Sequence, residues 1–179
     1  MYCIMVDAMA QSSNNIKCLI MAGGLGSRLN KKKMLLDFCG SSIIHREISL
    51  LKKISNDISI CISKNTEFLM NTFDLNYIYG YGDYSKDLVI SINKINRFPI
   101  LVMPADVIFN LETILKFISM NNFDYDIINM KINENFTGIS IFNRRAFEKY
   151  TDININDSGF FNINTYDDYK NALAYYKCL

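Results

Sequence analysis

Short apolar runs alternate with segments of helical periodicity along most of this chain, and that alternation restricts its fold more than any other feature. The runs predicted to be strands are 16–21, 58–63, 75–79, 100–103, 125–131 and 138–142. The segments predicted to be helices are 43–55, 85–95, 111–119, 144–150 and 166–177. Alternation at this spacing favours βαβ units with right-handed crossovers. We therefore expect an α/β fold, a Rossmann-like three-layer α/β/α sandwich with a mainly parallel sheet.

The composition is that of a folded domain of ordinary size. The chain has 179 residues, of which 50% are apolar and 21% charged, and its net charge is +1. At this length folding buries roughly 70% of the surface of the extended chain, which allows a sizeable core. We expect a single domain over residues 16–179, preceded by an N-terminal extension over residues 1–15. The balanced charge argues against nucleic acid or a membrane surface as the main partner, and no apolar run reaches the ~20 residues of a spanning helix.

The cysteines are odd in number and include no CxxC pair; they are Cys3, Cys18, Cys39, Cys61 and Cys178. This pattern predicts reduced thiols in a cytoplasmic protein, and neither a disulfide framework nor a zinc site. The first residues lack the basic segment of a secretory signal peptide, which also favours the cytoplasm.

Polar residues follow several of the predicted strands, at the edge where parallel sheets bind ligands. They are the turn after Met21, the segment after Tyr79, and Asp106. Near the C-terminus, Thr165 and Asp168 have the spacing of a capping box, which predicts that a helix begins between them.

The turn after the first predicted strand is rich in glycine and flanked by cations. Residues 22–26 read Ala-Gly-Gly-Leu-Gly, and no acidic residue occurs between Asp7 and Asp37. The same interval carries five positive charges, at Lys17, Arg28, Lys31, Lys32 and Lys33. Glycine lets backbone N–H groups approach a ligand closely, so the turn could bind phosphate; it could equally be a tight turn with a solvated basic flank. Neither the Walker spacing nor the dinucleotide fingerprint is present, because Leu29 stands at the third glycine position.

The stretch from Leu19 to Arg28, followed by Lys33, resembles the signature of the MobA-like nucleotidyltransferases: a strand, then GGxGxR, then a lysine. Within that superfamily the chain most resembles the archaeal GTP:adenosylcobinamide-phosphate guanylyltransferases. The supporting segments, in order, are Cys39-Gly40, residues 80–88, Pro104-Ala-Asp106, residues 137–141 and residues 161–168. Two positions depart from the usual pattern: Met34 stands where proline is frequent, and Asn30 where glycine is common.

The resemblance implies the fold of the nucleotide-diphospho-sugar transferases and the transfer of GMP from GTP to adenosylcobinamide phosphate, with release of pyrophosphate. The attacking phosphate oxygen is already an anion, so the reaction needs no general base. The resemblance implies that Arg28 contacts the β- and γ-phosphates, that Lys33 lies at the α-phosphate, and that Asp106 binds Mg²⁺.

The implied binding residues fall into three groups. Nucleotide-binding residues are Ala22, Gly23, Gly24, Leu25, Gly26, Arg28, Lys33 and Gly80. Acceptor-binding residues are Gly82, Asp87 and Gly138. Metal-binding residues are Asp106, Asn162 and Asn164.

Alternatives remain open for both the residues and the function. Asp106 could cap a helix, and Asn162 and Asn164 could be ordinary turn residues. The tyrosines at 77, 79, 81 and 84 could stack on a base or pack in the core. The acceptor could be molybdopterin or a sugar or alditol phosphate, or the chain could be a nucleotide-binding protein without catalytic activity. An NAD-dependent enzyme is disfavoured, because the second strand ends in Ser63-Lys64 and not in an acid.

Overall fold

The fold is built on a seven-stranded sheet, seen in a computed structural model that describes residues 16–23 and 32–178. In chain order the strands are β1 (Lys17–Met21), β2 (Asp37–Phe38), β3 (Ser41–Ser42), β4 (Ile58–Ile62), β5 (Asn76–Tyr79), β6 (Ile100–Pro104), β7 (Val107–Ile108), β8 (Ile127–Ile132), β9 (Asn135–Phe142), β10 (Tyr150–Ile155) and β11 (Phe161–Asn162). The α-helices are α1 (Ile43–Leu51), α2 (Tyr84–Ile95), α3 (Leu111–Ser119) and α4 (Tyr166–Tyr175). Short 3₁₀ helices span Lys33–Leu35 and Lys64–Leu69.

The central sheet has the strand order β10-β8-β9-β6-β1-β4-β5. All of its pairings are parallel except those of β9, which runs antiparallel to both β6 and β8. The predicted α/β fold with a mainly parallel sheet is confirmed.

Helices cover both faces of the sheet, so its inner strands are apolar on both sides. Every residue of β4 is buried, as are four of the five residues of β1. On one face α1 and α3 pack through a cluster that includes Ile44, Ile48 and Phe117. On the other face α2 packs through Ile92 against Leu19 and its neighbours.

The helix predicted over 144–150 is wrong. These residues lie in bends, and Tyr150 begins strand β10. The buried carboxylate of Asp126 accepts hydrogen bonds from the backbone N–H groups of Glu148 (3.1 Å) and Lys149 (3.0 Å), which fixes this segment beside the start of β8. A contact between residues so distant in sequence overrides weak local helix propensity.

A smaller layer lies beyond one end of the sheet. It contains the β2–β3 hairpin, the antiparallel pair β7–β11, and α4. These elements share a buried cluster with the first residue of α1, formed by Phe38, Ile43, Ile108, Ile163 and Ala172. The predicted capping box is confirmed: Asp168 N–H donates to Thr165 Oγ1 (3.1 Å), and Thr165 N–H donates to Asp168 Oδ2 (2.7 Å).

One expectation about the cysteines is also wrong, since the structure contains a disulfide between Cys39 and Cys178. Sequence spacing gave no sign of it, because the partners are 139 positions apart and meet only when α4 packs beside the β2–β3 hairpin. Cys18 and Cys61 are free and buried, as expected of core thiols. Among the described residues, no helix has both the length and the apolar character needed to cross a membrane.

Candidate active site

The carboxyl ends of β1, β5 and β6 meet at one edge of the sheet and bring several of the predicted site residues together. Backbone hydrogen bonds continue the sheet past the strand ends: Ala22 N–H donates to Cys61 O (2.9 Å), Gly80 N–H to Ile62 O (2.7 Å), and Ala105 N–H to Met21 O (3.3 Å). These bonds fix where the chain leaves each strand. The edge is the place where open parallel sheets bind ligands.

Lys33, Asp106 and Asn164 form a polar cluster at this edge. The Lys33 ammonium makes an ion pair with Asp106 Oδ2 and donates a hydrogen bond to Asn164 Oδ1 (3.2 Å). The side chains of Lys33 and Asp106 are only 10% and 17% exposed, so water screens this pair weakly. Asn164 Nδ2 in turn donates to Asn162 Oδ1 (3.1 Å), so three predicted metal-binding residues lie together with a predicted catalytic lysine.

The pairing of β7 with β11 explains why residues so distant in sequence meet. Asp106 directly precedes β7, and Asn162 pairs with Val107 in the β7–β11 ladder. Ile163 N–H donates to Asp106 O (2.9 Å), which holds the segment carrying both asparagines beside the aspartate. Lys33 begins a 3₁₀ helix just before the β2–β3 hairpin, and its side chain reaches the same point.

The chemistry of the cluster suits a hard divalent cation. Its oxygen atoms come from one carboxylate and two amides, and a magnesium ion takes such ligands together with water and phosphate oxygens. The Lys33 ammonium already lies between Asp106 and Asn164, which shows that the oxygens there favour positive charge.

Asp87 lies beneath the glycine segments at the ends of β1 and β5. Its carboxylate is 1% exposed and accepts hydrogen bonds from the backbone N–H groups of Tyr81 (2.6 Å) and Gly82 (2.9 Å). A Cβ on Gly80 would lie 2.4 Å from Asp87 Cγ, and one on Gly23 would lie 3.2 Å from Asp87 Oδ2. Both oxygens of Asp87 therefore support the turn over residues 80–82, and its direct contact with an acceptor stays a prediction.

Gly138 lies on the other side of the β6 end. It is exposed on β9 with a φ of +80°, and a Cβ there would lie 3.3 Å from Pro104 Cγ, in the last residue of β6. The predicted acceptor residue is thus near the strand end that leads to Asp106. Gly24, Leu25, Gly26 and Arg28 lie outside the described residues.

The tyrosines near this edge divide between the two alternatives. The Tyr77 hydroxyl donates to Leu69 O (2.8 Å) and the Tyr79 hydroxyl to Glu67 Oε1 (2.6 Å), so both stabilise the fold. Tyr81 is 83% exposed and available to a ligand. Partial burial, followed by the Asp106 carboxylate, raises the pKa of Tyr84 above its usual value, and the side chain is still 46% exposed.

Glu47 is a residue near the site that sequence reasoning missed. It lies on the buried face of α1, is 1% exposed, and neither of its carboxylate oxygens has a hydrogen-bond partner. Burial, with a smaller contribution from Asp106, raises the pKa of Glu47 well above its usual 4.5. The signal was present in the sequence, because an acid directly beside Ile48 and three residues after Ile44 falls on an apolar helix face.

We expect Glu47→Met to stabilise the protein by about 1–3 kcal/mol at pH 8, since it replaces a buried unpaired carboxyl with an apolar side chain of similar length. The folded state holds the Glu47 proton more tightly than the unfolded state does. The part of the glutamate's cost that depends on pH is therefore absent below pH 4.5 and grows as the pH rises toward the folded-state pKa, while the cost of burying an unpartnered carboxyl is present at every pH. Urea unfolding of the parent and of Glu47→Met at pH 5 and pH 8 measures the gain in the free energy of unfolding at each pH. A gain that does not increase with pH would show that the Glu47 carboxyl does not have a raised pKa.

Comparison with known proteins gives a family and a fold. The model of the MobA-like NTP transferase domain matches residues 18–163. No curated protein matches the chain significantly. Similar solved structures include Rv0371c from Mycobacterium tuberculosis H37Rv in complex with manganese (TM-score 0.69, 12% identity, 90% of this chain and 99% of that one). Another is a CMP:2-keto-3-deoxy-manno-octonic acid synthetase complexed with CTP (TM-score 0.71, 10% identity, 92% of this chain and 100% of that one). A third is the 4-diphosphocytidyl-2C-methyl-D-erythritol synthase of Anaerococcus prevotii (TM-score 0.68, 15% identity, 95% of this chain and 99% of that one).

Proposed function

The chain belongs to the family of MobA-like NTP transferase domains, and we propose that it transfers GMP from GTP to adenosylcobinamide phosphate and releases pyrophosphate. The observation that carries the proposed reaction is the cluster of Lys33, Asp106 and Asn164 beside the strand ends at Gly23 and Gly80. The choice of guanine and of the cobinamide acceptor rests on the sequence resemblance over residues 16–177. We propose further that the catalytic domain spans residues 16–179 and works in the cytoplasm.

Transfer requires that the acceptor phosphate and the triphosphate, both anions, approach each other. The cations of the site would lower the barrier that their repulsion creates. The phosphate oxygen of the acceptor attacks the α-phosphorus of the nucleotide, and the bond to the pyrophosphate oxygen breaks. Lys33, freed from its contact with Asp106, would offset the charge that develops on the α-phosphate and the leaving group. Arg28 would bind the β- and γ-phosphates with two parallel hydrogen bonds.

The backbone N–H groups of residues 22–26 and of Gly80 would orient the triphosphate. Asp106 would hold Mg²⁺ with the help of Asn162 and Asn164, and the bound ion would neutralise phosphate charge. Support comes from the oxygen ligands gathered there, and from the manganese bound by Rv0371c, which is similar in fold. Gly82, Asp87 and Gly138 would shape the acceptor side, with Asp87 acting through the turn that it supports.

Pyrophosphate release from each of the four NTPs, with Mg²⁺ and with or without adenosylcobinamide phosphate, tests the proposal. Release that requires both GTP and the cobinamide is the expected result. Release only with molybdopterin or with a sugar or alditol phosphate would keep the reaction class and replace the acceptor. If no NTP binds, a protein without catalytic activity becomes the better account. That account has to explain why Arg28, Lys33 and Asp106 are all present.

A further inference from the structure

We propose that Cys39 and Cys178 form a reversible thiol–disulfide pair, and that the disulfide keeps the nucleotide site assembled by binding α4 to the β2–β3 hairpin. The pair would exchange with a small-molecule disulfide of the glutathione type. The exchange itself is independent of the proposed function, whereas its effect on nucleotide binding rests on it.

The pair is placed where a reagent can reach it. The Cα atoms of Cys39 and Cys178 are 4.9 Å apart, within the usual range for a disulfide. Cys39 is exposed and Cys178 half-buried. Cys39 and Gly40 form the two-residue turn of the β2–β3 hairpin, and both have the positive φ that a type I′ turn requires.

The disulfide connects two segments that each carry part of the site. Cys39 follows Lys33 by six residues, through the 3₁₀ helix and β2. Cys178 lies just beyond the C-terminal end of α4. At the other end of this helix, its N-cap Thr165 directly follows Asn164. The disulfide therefore closes a covalent ring over residues 39–178 that includes Asp106 and Asn164. Lys33 lies just outside the ring, six residues before Cys39, and the β2–β3 hairpin that the disulfide anchors connects it to the ring.

Most side chains of α4 are exposed or half-buried, although its C-terminal cap Tyr176 is anchored by hydrogen bonds from its hydroxyl to Asn110 Oδ1 (2.9 Å) and Gly159 O (2.7 Å). Ala172 is the only fully buried residue of the helix. The Tyr169 hydroxyl donates to Asp37 O, and the ring of Tyr176 packs edge-on against Phe38 at 5.3 Å. A helix with so little buried apolar area opens locally more easily than the strands of the sheet. Reduction should therefore loosen α4 and the Asn162–Asn164 segment before anything else.

The other described thiols are not suited to exchange. Cys18 is buried, and its burial raises its pKa to about 12. Cys61 is also buried, and burial raises its pKa. The thiolate is the reactive form, so both residues should stay reduced while Cys39 and Cys178 react.

The exchange is balanced without any redox cofactor. In the reduced protein the Cys39 thiolate attacks one sulfur of the small-molecule disulfide, forming a mixed disulfide and releasing one thiolate. The Cys178 thiolate then attacks Cys39 Sγ and releases the second thiolate. Two protein thiols are oxidised, one external disulfide is reduced to two thiols, and the two protons pass to the released thiols.

The test is to equilibrate the full chain in glutathione buffers whose reduced-to-oxidised ratio runs from about 1 to about 10⁴, then block free thiols and identify them by mass spectrometry. We expect Cys39 and Cys178 to change together within that range. Hydrogen exchange of residues 161–178 should accelerate at least about tenfold on reduction, with β1, β4 and β6 unchanged. The affinity for GTP with Mg²⁺ should fall at least about fivefold.

Cysteine variants test whether the effect on GTP binding comes from the Cys39–Cys178 pair. Cys39→Ser and Cys178→Ser should each bind GTP with the affinity of the reduced protein at every glutathione ratio. Cys3→Ser, which changes a cysteine outside the described residues, is the matched control and should keep the full response. A pair that stays oxidised at all ratios, or whose reduction changes neither the hydrogen exchange of 161–178 nor GTP affinity, would overturn the proposal. So would loss of the response in Cys3→Ser.

The proposed function can fail separately from this pair. If no NTP binds either form, the assignment of a nucleotide site fails. Acceleration of hydrogen exchange over residues 161–178 on reduction would still support the pair, and unchanged exchange would still overturn it.

Discussion

Asp106→Asn should lower kcat for nucleotidyl transfer by about 10²- to 10³-fold, because it removes the carboxylate that pairs with the Lys33 ammonium beside Asn164. The asparagine keeps an oxygen to which Lys33 can donate, so the fold should survive. Initial rates at saturating nucleotide and Mg²⁺, together with thermal unfolding, measure both effects.

Asp152→Asn provides a matched control. Asp152 makes an ion pair with Lys131 (2.8 Å) between β10 and β8, at the edge of the sheet opposite β5. Hydrogen bonds from Lys131 and Asn129 hold the pKa of Asp152 below its usual value, so this variant also removes a paired carboxylate. It should leave kcat unchanged. An Asp106→Asn enzyme within about threefold of the parent rate would refute the proposed metal ligand.

Gly80→Ala should destabilise the protein by about 2–4 kcal/mol and raise the KM for the nucleotide at least about tenfold. The added methyl group would lie 2.4 Å from Asp87 Cγ, so either the turn or the carboxylate must move. Movement of Asp87 leaves the N–H groups of Tyr81 and Gly82 without their acceptor. Chemical unfolding and steady-state kinetics report the two effects.

A double-mutant cycle distinguishes this contact from general damage. Asp87→Ala removes the atoms that the methyl group would meet, at the cost of the two hydrogen bonds. The combination of Gly80→Ala with Asp87→Ala should therefore be little less stable than Asp87→Ala alone. Additive losses in the double variant would show that the methyl group meets something other than Asp87.

The parts of the fold that follow local rules were predictable from sequence. The apolar run over 16–21 became β1, and the spacing of Thr165 and Asp168 gave the start of α4. The order of strands was beyond reach, because β9 enters antiparallel between β6 and β8 through contacts that no local pattern encodes. The predicted helix over 144–150 failed for the same kind of reason, since Asp126 holds that segment from a distance.

The candidate site, like the fold, has features that the sequence predicted and others that only the structure shows. Sequence spacing placed Asp106 after a strand and Lys33 after the glycine turn, and the resemblance connected them with the asparagines. Only the structure showed that the Lys33 ammonium contacts both Asp106 and Asn164. The role of Asp87 beneath the turn, the unpaired carboxyl of Glu47 and the joining of Cys39 to Cys178 all depend on three-dimensional packing.

The central position of β1 has a consequence for how the chain is made. Cys18 pairs with Ile58 in β4 on one side and with Leu101 in β6 on the other, so both neighbours of this strand are synthesised long after it. Sheets built from such distant pairings fold slowly, because the entropy of closing a long loop is lost before any stabilising contact forms. During translation the apolar residues of β1 therefore remain exposed until β4 and β6 have been synthesised. We expect the nascent chain to depend on chaperones until β6 has left the ribosome.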